Sequence, residues 1–225
     1  MLRALRDPKT FRLWIGQALS SIGDEIYRVG LTWMAVGLIG ADTGYLTAAQ
    51  AGSLMLLSVV GGKWADQWDT LQTMIRIDLA RAVIVLIPVA YALFAPVPLW
   101  LLATVAVVLS GLGAFFDPAL QTALPRFLTD AKLLRAATGL MSTTTRLARM
   151  VGPALVGYLA GILPPIHFFT MDALSFAVSA ASVRAAQTIE TAERAVPAAL
   201  KPTRPRPSFA EAVVGGFRAL QTRPG

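Results

Sequence analysis

Cysteine is absent from this chain of 225 residues, so it holds no disulfide framework, no thiolate zinc site and no cysteine-ligated iron–sulfur cluster. Histidine occurs once, at His167, which leaves no pair of imidazoles for zinc or haem and none to serve an intramembrane protease. The sequence contains no G-x-S-x-G turn, no H-E-x-x-H pair and no G-x-x-x-x-G-K-[ST] loop, and so lacks the usual hydrolase, metalloprotease and nucleotide-binding signatures. No enzyme activity, metal or cofactor is expected. Charge is scarce as well. Asp, Glu, Lys and Arg make up 15% of the chain, against roughly a quarter in soluble domains, and the balance points to lipid.

Apolar sequence is what the chain has instead. Hydrophobic residues account for 55%, and they gather into six runs. These lie at about Leu13–Ile39, Leu46–Trp64, Met74–Ala95, Leu99–Phe116, Ala136–Leu163 and His167–Val183. Each is near the roughly 20 residues a helix needs to cross a ~30 Å hydrocarbon core. The runs are continuous, without the period-2 alternation of barrel strands. The expected fold is an all-α membrane protein: a bundle of six transmembrane helices over residues 13–183, with a cytoplasmic amphipathic helix added.

The formal charge of +7 has a topological origin. Arg3, Arg6, Lys9 and Arg12 precede the first run, and Lys63, Arg76 and Arg81 surround the second loop. Arg126, Lys132 and Arg135 occupy the fourth loop, and Arg184 opens a basic tail. The loops near Asp42, Pro96 and Pro164 hold no basic residue. This alternation fits the positive-inside rule, with both termini cytoplasmic in a cell membrane, and requires no nucleic acid.

Residues 1–12 read as a short amphipathic segment on the inner surface. A cleaved signal peptide is disfavoured, because the first run is too long and carries Asp24, Glu25 and Arg28 inside it. Pro197, Pro202, Pro205 and Pro207 mark residues 184–207 as a linker. Ser208 and Glu211 then form a capping box that opens an amphipathic helix within 208–225.

Ionisable groups inside a bilayer cost on the order of 2.5–3.5 kcal/mol each, so each needs a reason. On the first run, Gln17, Ser21, Asp24, Arg28 and Thr32 are spaced by 4, 3, 4 and 4, which makes one stripe of a helix. Asp24 and Arg28 are placed as an i,i+4 pair, with Glu25 at the edge. Such a stripe serves either as a packed internal ion pair or as a hydrated path in which Asp24 or Glu25 carries a proton. On the fifth run Ser142, Thr145, Arg146 and Arg149 supply a cationic partner for those carboxylates or for an anionic solute; the bland alternative is snorkelling to lipid phosphates. Asp172, Ser175, Ser179 and Ser182 form a small polar stripe on the sixth run, where helices pack closely, and Asp172 is read as structural. His167 is read as interfacial.

Certain stretches resemble a known family. Gly61-Gly62-Lys63-Trp64-Ala65-Asp66 resembles the loop signature of the major facilitator superfamily, with Gly62 and Asp66 carried over; Gln67, Thr70 and Leu71 stand where the family pattern is basic. Phe11-Arg12-Leu13-Trp14-Ile15-Gly16-Gln17 with Gly23-Asp24 is similar to the first helix of enterobactin-exporter and macrolide-efflux relatives. Phe115-Phe116-Asp117-Pro118 resembles their fourth-to-fifth junction, where Asp117 has a structural role, and Met171-Asp172-Ala173 resembles their sixth helix. Gly139, Gly152-Pro153 and Gly157 are similar to the antiporter motif, with Ala148 and Val156 in place of glycines. These matches span residues 11 to about 183 in family order.

The resemblance implies one half of a fold built from two six-helix halves around a central cavity, with the chain ending where a seventh helix is due. The function expected is secondary active transport: proton-coupled efflux of a small amphipathic compound, such as a drug or siderophore, by alternating access. It requires a lipid bilayer and a second six-helix half: a homodimeric copy, a separate chain, or the remainder of a longer native chain. The alternative is a membrane interaction protein, or a remnant, that moves nothing by itself.

Overall fold

A computed structural model describes residues 4–65, 69–128 and 130–195. Six α-helices follow one another: α1 Pro8–Ile39, α2 Thr43–Ala65, α3 Thr70–Ala92, α4 Leu99–Phe127, α5 Ala131–Leu159 and α6 His167–Ala195. No strand occurs among the described residues.

Carboxylates start three of these helices. Asp7 accepts a 2.8 Å hydrogen bond from the Thr10 amide, with Pro8 at the first helical position. Asp69 caps α3 by accepting from the Leu71 and Gln72 amides, and Asp130 caps α5 by accepting from Lys132 at 2.7 Å. Each satisfies an orphan amide and meets the positive end of the helix dipole. Between α1 and α2 the chain turns at Gly40, whose φ of 57° is the left-handed value that glycine tolerates.

The helices run past several of the expected limits. α1 begins at Pro8, so the last part of the predicted surface segment 1–12 belongs to α1. α4 continues beyond Phe116 to Phe127 with Pro118 and Pro125 inside it, which puts Arg126 in its last turn rather than in a loop. α6 continues beyond Val183 to Ala195, through the opening of the expected linker. The rest of that linker, the predicted helix within 208–225, and Asp66 lie outside the described residues.

The all-helical expectation stands, whereas the six apolar spans reduce to one clear case. Among the described residues, α4 is the helix that is long and apolar enough by itself to cross a bilayer. α1 carries Asp24, Glu25 and Arg28, and α3 carries Arg76, Asp78 and Arg81. Four of these six charges, Asp24, Glu25, Arg28 and Arg81, line the larger cavity described below.

Within the unit ending at Glu190, α2 and α3 pack along α4, and α1 packs along α5. α1 meets α6 through glycines at a heptad interval. A Cβ on Gly16 would lie 2.8 Å from Ser182 Cβ, one on Gly23 2.1 Å from Ser175 Oγ, and one on Gly30 2.6 Å from the Phe168 ring. Only a bare Cα lets the two backbones approach this closely. One apolar cluster gathers Leu13, Met74, Phe116, Leu124 and Met141. A second gathers Leu31, Val85, Leu102, Phe169 and Phe176. The first draws on the opening halves of α1, α3 and α5 and the closing half of α4; the second draws on the opposite halves of α1, α3 and α4 and on the start of α6. A polar layer lies between them.

Candidate functional site

That polar layer opens into a cavity of about 510 Å³ bounded by α1, α3, α4 and α5. α1 contributes Gln17, Ser21, Asp24, Glu25 and Arg28, and α5 contributes Thr138, Ser142, Thr145 and Arg149. α3 contributes Arg81, while Phe116, Asp117 and Gln121 come from α4. A second cavity of about 390 Å³ reaches toward Gln50 on α2 and Asp172 on α6. Asp24, Arg28, Arg81 and Arg149 line both. The four mark the junction between the two spaces.

The stripe on α1 faces the cavity because its 3.6-residue period brings Gln17, Ser21, Asp24 and Arg28 to one side. Thr32, at the end of that stripe, instead donates to the Arg28 carbonyl at 2.9 Å and does not line either cavity. Hydrogen bonds tie this part of α1 to α5: the Ser21 and Thr145 hydroxyls are hydrogen-bonded to each other at 3.3 Å, and Trp14 Nε1 donates to Thr144 Oγ1 at 3.0 Å.

The expected i,i+4 pairing of Asp24 with Arg28 is replaced by an i,i+3 pairing. Arg28 Nη2 donates to Glu25 Oε1, and Arg149 Nε approaches the same oxygen at 3.6 Å. Glu25 is buried, with its side chain 7% exposed, while Arg28 and Arg149 are 51% and 63% exposed. One sealed carboxylate therefore holds two guanidinium groups that keep most of their donors free toward the cavity. Gly152 makes room for it, since a Cβ there would lie 2.6 Å from Glu25 Cβ. Arg146 is exposed and lines neither cavity. The two arginines of α5 thus separate, because residues three apart on a helix point about 60° apart and only one faces α1.

Two residues at the centre were not singled out from the sequence. Its charge pattern places Arg81 with a loop, and Asp78 falls outside every predicted stripe. Yet α3 begins at Thr70, so Arg81 stands eleven residues into the helix, about 16 Å along its axis. Its guanidinium carbon lies 5.2 Å from the Phe116 ring centre and 5.3 Å from that of Phe176. Asp78 is fully buried. Ser179 faces it, but no hydrogen bond of normal geometry closes on either carboxylate oxygen. Counting every charge inside the third apolar run would have found both.

Asp117 is exposed and lines the larger cavity. Asp172 is fully buried; Ser175 donates to its carbonyl at 2.8 Å and reaches its carboxylate at 3.3 Å. His167 is exposed at the start of α6. Gly62 lies near the end of α2, and Gly139 is half-buried on α5. Pro153 is exposed, and Gly157 has open space where a side chain would go. Of Gly152 and Gly157, Gly152 is therefore the one in close contact. Among the described residues, no group of three or more His, Cys, Asp or Glu could hold a metal ion.

A major facilitator family model, described as transmembrane secretion effector, matches residues 2–222. No curated protein matches, and no solved structure matches.

Proposed function

Because the chain belongs to the transmembrane secretion effector family of the major facilitator superfamily, we propose that its six helices form one half of a secondary active transporter in the cell membrane. Both termini face the cytoplasm in this reading. The two cavities form one wall of the solute path, and a second six-helix half, whether a further copy, a separate chain or a continuation of this one, supplies the other. The solute is a small amphipathic compound exported by alternating access, with protons moving on Asp24 or Glu25.

One observation carries the reading. Asp24, Arg28, Arg81 and Arg149 converge from three helices on the junction of two cavities. Charges placed at such depth are costly in a purely structural bundle and ordinary along a solute or proton path.

Flux tests it directly. In proteoliposomes holding the full chain together with its second half, an imposed pH gradient should drive solute movement. The Asp24→Asn, Glu25→Gln double variant should insert normally and lose that flux. Unchanged flux in the double variant would remove the proton role from these residues.

A further inference from the structure

We propose that the space between Phe116 and Phe176 is a binding cage for an organic cation, which Arg81 occupies as a tethered stand-in. The solute, on the transport reading above, is then an amine or guanidinium carried on a small apolar body. It enters by displacing the Arg81 head group.

The manner in which Arg81 is held carries the inference. Rings from α4 and α6 flank its guanidinium at nearly equal distances, 5.2 and 5.3 Å, and cations are attracted to aromatic faces at this range. The residue is 8% exposed, and its Nε has no hydrogen-bond partner. No carboxylate among the described residues forms an ion pair with it. Asp24, Asp78, Asp117 and Asp172 nevertheless surround it closely enough to feel its charge. Arg81 is thus retained by ring faces and a diffuse negative field. Arg28, by contrast, is fixed by a direct bond to Glu25. A group held without directional bonds exchanges readily with another of the same chemistry.

Charge selects a cation over an anion. Glu25 is already committed to Arg28 and Arg149. The other acids lining the two cavities, Asp24, Asp117 and Asp172, all feel Arg81, and Arg28 and Arg149 add weaker attractions to Asp24 and Asp117. Withdrawing its guanidinium leaves two aromatic faces and four cavity acids, Asp24, Glu25, Asp117 and Asp172, against two guanidiniums, Arg28 and Arg149, and this surplus of carboxylates favours an organic cation over an oxyanion. Space permits the exchange, because cavities of about 510 and 390 Å³ open from this junction. Gly113 leaves the guanidinium edge clear: a Cβ there would come within 2.7 Å of Arg81 Nη2.

Equilibrium dialysis of the purified full chain, with benzylguanidinium and its anionic counterpart phenylacetate as probes, decides the matter. Arg81→Ala and the closer-sized Arg81→Gln should each bind benzylguanidinium at least tenfold more tightly than the unaltered chain. Neither should gain affinity for phenylacetate, and adding Phe176→Leu should remove the gain. Equal binding by variants and unaltered chain, or a gain for phenylacetate, overturns the cage. So does failure of both Arg81 variants to fold even with benzylguanidinium present, which marks the residue as a structural clamp. A gain in binding without solute flux in proteoliposomes supports the cage and counts against transport alone.

Discussion

Glu25 and Gly152 face each other across the α1–α5 contact with no room between them for a second Cβ. A methyl group on residue 152 would stand 2.6 Å from Glu25 Cβ and 3.8 Å from its Cα. Those atoms are fixed by the helix backbone, so no change of rotamer relieves the overlap. Gly152→Ala should push the helices apart and cost about 1–3 kcal/mol, the usual penalty for overpacking. Unfolding in detergent measures it. An unaltered midpoint would show that α1 and α5 are not in this contact.

The heptad seam between α1 and α6 makes a reciprocal prediction. Gly23→Ala should destabilise by a similar ~1–3 kcal/mol, because its new Cβ meets Ser175. Introducing Ser175→Gly alongside it should restore part of the loss, since the removed Oγ and Cβ are the atoms in the way. A double variant no better than the single one argues against this register.

The two arginines of α5 should behave differently. Arg149→Ala removes a group that lines both cavities and sits beside Glu25, and flux in proteoliposomes should fall at least tenfold. Arg146→Ala removes an exposed side chain outside both cavities, and flux should stay within about twofold. Equal losses would mean that charge on α5 matters regardless of where it points.

At the start of α3, Asp69→Ala should cost about 1 kcal/mol by leaving the Leu71 and Gln72 amides uncapped. Asp69→Asn should recover most of it, because an amide oxygen still accepts from those donors. If asparagine fails as badly as alanine, the carboxylate acts through its charge and not as a cap.

Much of this arrangement is legible in the chain. The six apolar runs anticipate the six helices, although α4 is the one among the described residues that is apolar enough by itself to cross a bilayer. The stripe of Gln17, Ser21, Asp24 and Arg28 follows from a 3.6-residue period, and a period is a local property. The family is legible too, since motifs in order need no coordinates to be recognised.

The partners of these groups are another matter. Whether Arg28 turns back to Glu25 or on to Asp24 depends on Gly152 and Arg149, more than 120 residues away in the chain and adjacent in the fold. Arg81 reads as a loop charge by its place near Lys63 and Arg76, and becomes the centre of the site only when α4 and α6 bring Phe116 and Phe176 to its two faces. Sequence fixes which side of a helix is polar; packing decides which polar side chains meet. The first depends on neighbours one turn apart, and the second on helices that approach through glycines distant in sequence.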